Sequence, residues 1–154
     1  MRRCVFVSPL AACALLSGVG FAAAQASGTA PEARAMLEKA IAALKADKAD
    51  ALAKFPRMDS GFRDRDLYVF CFNTTDGKFT AHVSPALMGK DVRTLKAGTD
   101  PLGQRIFDTV KSAPEGGIRT IDYEFPKPGT TVPVPKQSYL TRVGDQGCGV
   151  GYYK

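Results

Sequence analysis

The sequence predicts an α+β domain: one long amphipathic helix, then five antiparallel strands, with a helical insert between the second and third. Three observations carry this. The apolar period is helical up to residue 55 and becomes two after residue 66. The helical segments are segregated from a meander of strands, the arrangement of α+β folds. The 154 residues amount to one domain with one core.

Each element has its own signal. Thr29-Ala30-Pro31-Glu32 reads as a capping box, with Thr29 as N-cap, Glu32 reaching back and Pro31 tolerated in the first turn. Ala33, Met36, Leu37, Ala40, Ile41, Leu44, Leu52 and Phe55 then recur at helical spacing, so a single helix is expected to run until Pro56 stops it. Leu67 to Phe72 is β-branched and aromatic, a buried first strand. Asn73 to Gly77 is a turn in which Gly77 supplies a positive φ. Lys78 to Val83 is the second strand. Residues 84–101 are irregular, and Leu102 to Ser112 is a short helix with Leu102, Ile106, Phe107 and Val110 on one face. Ile118 to Phe125 is the third strand, alternating Ile121, Tyr123 and Phe125 with polar residues. Pro126 to Pro135 carries four prolines and is expected to be a stiff connection. Gln137–Val143 and Cys148–Tyr153 are the last two strands, joined by a turn at Gly144 to Gly147.

The N-terminus reads as an address. Met1-Arg2-Arg3 is basic, Cys4 to Ala24 is apolar and uncharged, and Ala22-Ala23-Ala24 supplies a small-residue cleavage site. Together these form a signal peptide over residues 1–24, leaving residues 25–154 as the mature domain in the periplasm or secreted. Pro9, Gly18 and Gly20 make the stretch a poor permanent span. Leu10-Ala11-Ala12-Cys13 also resembles a lipobox, which would make Cys13 a lipidated N-terminus; the apolar run that continues past Cys13 argues against it. Cleavage removes two arginines and no acid, so a net charge of +6 becomes +4, from 19 basic and 15 acidic residues. That weak field, without a basic run, does not suit nucleic acid. It also removes Cys4 and Cys13 and leaves Cys71 and Cys148. In an oxidising compartment this even pair reads as a disulfide, with two buried free thiols as the alternative.

Catalytic chemistry has little to work with. One histidine, His82, rules out a multi-histidine metal site, and no G-x-S-x-G motif is present. Gly147-Cys148-Gly149-Val150-Gly151 is followed by no helix, so it is not a dinucleotide fingerprint. No cofactor is expected.

Four strings together are distinctive: Phe62-Arg63-Asp64-Arg65-Asp66-Leu67-Tyr68-Val69-Phe70-Cys71-Phe72, Gly89-Lys90-Asp91-Val92-Arg93-Thr94-Leu95-Lys96, Pro135-Lys136-Gln137-Ser138-Tyr139-Leu140, and the ending from Val143 to Lys154. Over residues 31–154 they resemble the single Cache domain family, type 2, in a stand-alone exported form. The resemblance implies a PAS-like sheet with strand order second, first, fifth, fourth, third, and extracytoplasmic binding of small organic ligands. Family members usually serve as sensor parts of chemoreceptors and histidine kinases. Two departures fall in the pocket-forming insert. Val83-Ser84 follows His82 where the family has Pro-Asn, and Lys96-Ala97-Gly98-Thr99-Asp100 replaces an acidic pair and Gly.

Alternation puts Tyr68, Phe70 and Phe72 on one sheet face and Leu67, Val69 and Cys71 on the other. If the first and last strands are neighbours, as the resemblance implies, a Cys71–Cys148 bridge puts Gly149 and Gly151 on the aromatic face. The space they leave suits a ligand cavity or the seat of a helix. The face taken by His82 depends on the hairpin loop. Lys136 and Tyr139 are sheet-surface residues by default and pocket residues by resemblance, where an ammonium and a hydroxyl would suit a small carboxylate. The candidate ligand-binding set is Tyr68, Phe70, His82, Tyr123, Lys136 and Tyr139. With no output domain in the sequence, such a sensor would act through a separate membrane partner such as a histidine kinase or receptor. A ligand-free interaction module and, less well supported, a small hydrolase are the competing readings.

Overall fold

The computed structural model describes residues 27–154, so the signal peptide and cleavage site expected from the sequence, and Cys13, lie outside the described residues. Helix α1 spans Ala30–Ala46 and starts with the expected capping box, Glu32 accepting from the Thr29 amide at 2.7 Å. The single long helix expected from periodicity is broken. Asp47 is extended (φ −154°, ψ 104°), and α2 restarts at Lys48–Lys54. Asp47 serves both ends: its amide closes α1 on Ala43, and its carboxylate caps α2 through the Asp50 amide at 3.0 Å. A short acceptor side chain is poor inside a helix and good at its start, so the apolar period continues while the backbone does not.

The strands are β1 (Arg63–Asp64), β2 (Leu67–Asn73), β3 (Phe79–Ala81), β4 (Ile118–Pro126), β5 (Pro133–Val143) and β6 (Gln146–Tyr153), with helix α3 (Leu102–Ser112) in the insert after β3. All pairings are antiparallel. The order is β3-β2-β6-β5-β4, with the two-residue β1 also pairing β2 through a turn in which Arg65 takes φ +54°. This is the five-stranded order expected above plus one short hairpin arm. Three strands differ in their bounds, the last one starting at Gln146 rather than Cys148. The second strand keeps only Phe79–Ala81, with a bulge inside its short ladder, where Phe79 pairs Phe72 and Ala81 pairs Cys71. The fourth strand starts earlier, at Pro133, and takes in two prolines expected in the connection. There Pro135 pairs Glu124 and Pro133 pairs Pro126, past the last residue of β5 paired to β6, so a missing amide donor on that side goes unneeded.

The sheet has two differently built faces. On one, α1 lays Ala33, Met36, Leu37, Ala40 and Leu44 over Leu67, Val69, Val150 and the Cys71–Cys148 disulfide. The cysteines are directly paired on the two central strands, with Cα atoms 4.1 Å apart. On the other face, Phe70, Phe72, Phe79, Ile121 and Leu140 pack with Leu102, Ile106, Phe107 and Val110 of α3. Gly103 lets α3 close on the insert, because a Cβ there would lie 1.7 Å from the Val92 carbonyl oxygen.

Candidate ligand-binding site

The second face is not fully packed. Between the sheet, the insert and α3 lies a cavity of about 240 Å³. Its floor comes from Tyr68 and Phe70 of β2, Tyr123 and Phe125 of β4 and Lys136 of β5. Phe79, His82, Ser84, Leu87 and Leu95 wall it, and Leu102 and Ile106 of α3 close it. Five of the six residues singled out from sequence therefore meet at one cavity. Tyr139 does not. It pairs Val150, faces the α1 side of the sheet and stacks on Tyr152 with ring centroids 5.8 Å apart. The three-residue spacing from Lys136 to Tyr139 carries the two to opposite faces of a period-two strand.

The bulge at Cys71/Phe72 decides the face of His82. Ala81 stays opposite Cys71 on the α1 side, and the imidazole turns to the aromatics, with ring centroids 5.4 Å from Tyr68 and 5.3 Å from Phe79. Its Nδ1 accepts from the Ser84 amide at 2.9 Å, so the neutral ring carries its proton on Nε2. Burial, helped by the charge of Lys136, holds its pKa down to about 4.

Gly149 and Gly151 sit on the cavity face as expected, yet the space they leave is not the cavity. A Cβ on Gly149 would meet Phe70 and Leu140, each at 2.6 Å. One on Gly151 would meet Ser138 Oγ at 2.7 Å and Lys136 Cε at 2.8 Å. Together with Gly147, under Phe72 and Val110, they form a lane across β6 over which neighbouring side chains lie flat. The lane takes the cavity's own lining residues; the cavity is one layer further out.

Lys136 benefits most. Its stem crosses β6 above Gly151 and delivers the ammonium among three rings, 4.4 Å from the centroid of Tyr153, 5.5 Å from Tyr68 and 5.7 Å from Phe125. The residue is only 4% exposed, which removes the solvated-edge reading. Among the described residues no carboxylate lies within ion-pair distance of it. Burial lowers its pKa to about 8, an effect that the charge of Asp66 partly offsets. Apart from His82, the remaining polar groups are hydroxyls. Tyr123 shares a 2.7 Å hydrogen bond with Ser138, and Tyr153 donates to the Pro126 carbonyl at 2.7 Å. Burial pushes Tyr68 and Tyr123 up and Tyr153 to about 12, so all three are neutral donors at physiological pH. The site thus offers one cation, neutral donors and an aromatic wall, a set that suits a small anion with an apolar body.

Sequence reasoning missed Phe125 and Tyr153, although the alternation it used reaches both. It also missed Leu87 and Leu95 of the irregular insert, and Leu102 and Ile106, whose signal is only that the helix has an apolar face.

No family model and no curated protein matches the sequence. The fold is similar to that of a methyl-accepting chemotaxis protein from Vibrio parahaemolyticus RIMD 2210633, with a TM-score of 0.63 and 22% identity, over 80% of this chain and 86% of that one. It is similar to the periplasmic sensor domain of a chemotaxis protein, with a TM-score of 0.55 and 26% identity over 78% and 86%. It is also similar to a Cache chemosensory domain described for its carboxylic acid recognition, with a TM-score of 0.57 and 22% identity over 77% and 84%. The architecture is thus that of Cache-type chemosensory domains, a PAS-like antiparallel sheet with a long N-terminal helix and a helical insert.

Proposed function

We propose that this chain is an exported sensory domain of the single Cache type. It binds a small organic acid, with the carboxylate on Lys136 and the apolar body against Tyr68, Phe70 and Phe125, and reports occupancy to a separate membrane partner such as a histidine kinase or receptor. The observation that carries this is the Lys136 ammonium, buried at 4% exposure at the edge of an apolar cavity with no acidic partner in contact. A buried charge without a partner is costly, and a bound carboxylate would supply one. The cavity of about 240 Å³ lies below the roughly 300–1,000 Å³ of drug-sized sites, which favours a ligand of a few heavy atoms. Likeness to chemoreceptor sensor domains supports the sensory role, and the N-terminal signal pattern supports export. A binding rather than an enzymatic role fits a site whose reactive groups are one amine and one imidazole without an acid between them.

Calorimetry of wild type and Lys136→Met with short carboxylates and matched amines tests this. Lys136→Met is expected to weaken carboxylate binding by about 2–5 kcal/mol, chiefly through a faster off-rate. Preference for amines, or equal affinity in the variant, would overturn it.

A further inference from the structure

Lys136 ends in an amine as well as in a charge. Its stem is fixed along Gly151, and Nζ sits among the rings of Tyr153, Tyr68 and Phe125, the last two of which line the cavity. Among the described residues no carboxylate is in contact with it. Ring faces favour the ammonium, burial opposes it, and the pKa falls to about 8, so a sizeable share of the amine is free near neutral pH. A desolvated lysine in an apolar pocket is the form in which this side chain adds to carbonyl carbon. Hydroxyls converge on the same place. Lys136 Cε and Tyr123 Oη lie 2.8 and 3.2 Å from one point, the Cβ position that Gly151 lacks, and Ser138 Oγ lies 2.7 Å from it. Tyr123 and Ser138 share a 2.7 Å hydrogen bond in which either can donate. With Ser138 as donor, the phenol proton is free for a ligand.

We propose that the cavity captures small aldehydes covalently and reversibly, as an imine on Lys136 Nζ, with the Tyr123 hydroxyl as proton donor to the carbonyl oxygen. The nitrogen lone pair adds to the carbonyl carbon, the C=O π pair moves to oxygen, and that oxygen takes the Tyr123 proton. The phenolate takes a proton back from the nitrogen, which leaves a neutral carbinolamine. The nitrogen lone pair then forms the C=N bond as the hydroxyl leaves with the Tyr123 proton as water, and the phenolate recovers the last nitrogen proton. Amine and aldehyde thus become imine and water, with no change of oxidation state and Tyr123 as it began. The product suits the surroundings. An unprotonated imine is uncharged, so it removes a buried charge that has no ion-pair partner. Its alkyl chain lies against Tyr68, Phe70 and Phe125, and a cavity of about 240 Å³ keeps that chain short. An aldehyde carbon carries one hydrogen and needs less room among the rings than a ketone carbon. This capture does not rest on the carboxylate-binding reading, which uses the ammonium where the imine uses the free amine; the two ligands compete for one residue.

The test is reductive trapping in the full chain with its disulfide intact. Propanal and cyanoborohydride near neutral pH turn any imine into a stable propylamine, and peptide mapping locates it. Lys136 is expected to be labelled about tenfold faster than the exposed Lys90, which reports the ordinary surface reaction in the same sample. Without the reductant, the adduct is expected to disappear on gel filtration. Labelling of Lys136 no faster than Lys90, or an adduct that survives gel filtration unreduced, overturns the proposal. Tyr123→Phe is expected to slow Lys136 labelling by at least about tenfold and to leave Lys90 unchanged. Ser138→Ala, which takes away the partner that frees the phenol proton, is expected to slow it in the same sense and serves should the first variant not fold. An unchanged Lys136 rate in the folded variants overturns the role of Tyr123. Propionate in excess is expected to protect Lys136 and not Lys90. Absence of protection overturns the carboxylate reading alone, because the trapping itself is measured without propionate.

Discussion

The two faces of the sheet are built from alternate residues of the same strands, yet one is closed and the other hollow. Under α1, small residues and the disulfide bring helix and sheet together, with Ala33, Leu37 and Ala40 fully buried. Under α3, rings stand where the first face has methyl groups, and rings tile less completely. The helix is also shorter, 11 residues against 17, and arrives through irregular insert turns. The disulfide and the closest helix–sheet packing are on the first face and the cavity is on the second. One residue of strand period separates the two.

The largest effect should come from the closed face. Replacing both Cys71 and Cys148 by Ala opens a loop of 77 residues. The chain-entropy relation gives a loss of about 4–5 kcal/mol, read as a lower urea midpoint, and a midpoint equal to wild type would break the assignment of stability to that face. Next is a pair within the hollow face. Phe72 is fully buried over Gly147 and beside Phe107, so Phe72→Ala should cost about 3–5 kcal/mol. Phe70 borders the cavity, so Phe70→Ala should cost less in denaturation while lowering ligand-induced thermal stabilisation. Equal costs with an intact ligand response would mean that the cavity is not the ligand space.

The smallest effects concern pH. Lys136 titrates near 8 in the fold against 10.5 as an ordinary lysine. The unfolded chain binds more protons between those values, so stability should rise with pH across that window by up to about 3 kcal/mol, and Lys136→Met should remove the rise. His82 titrates near 4 against 6.5. Here stability should fall as pH drops from 6.5 to 4, by about 1–2 kcal/mol once partial solvent screening is allowed for. His82→Gln should flatten that limb in acid denaturation, and an unchanged slope would remove His82 from the buried wall.

Much of the fold was legible because period and punctuation agreed. Gly77 takes the positive φ its turn required, and α3 begins and ends where its apolar spacing does. The break at Asp47 was not legible, because a helix that stops and restarts keeps its apolar stripe. For the site, alternation placed Tyr68, Phe70 and Phe72 on one face of the first strand. It was not applied to Tyr139, which entered the set by family resemblance alone although its odd spacing from Lys136 puts it on the other face. The burial of Lys136 had no local signal at all: it depends on a glycine on the next strand, Gly151, which lets the stem lie across β6.

The disulfide also makes the molecule unevenly compliant. It couples the two middle strands of the sheet covalently, directly beneath the cavity floor, so that floor behaves as an anvil. The opposite wall is held by a three-residue strand, short turns and one helix. A ligand that expands or contracts the cavity must do its mechanical work on that softer side. Displacement is therefore directed toward the insert and α3, and any output that follows occupancy is carried by the wall that yields.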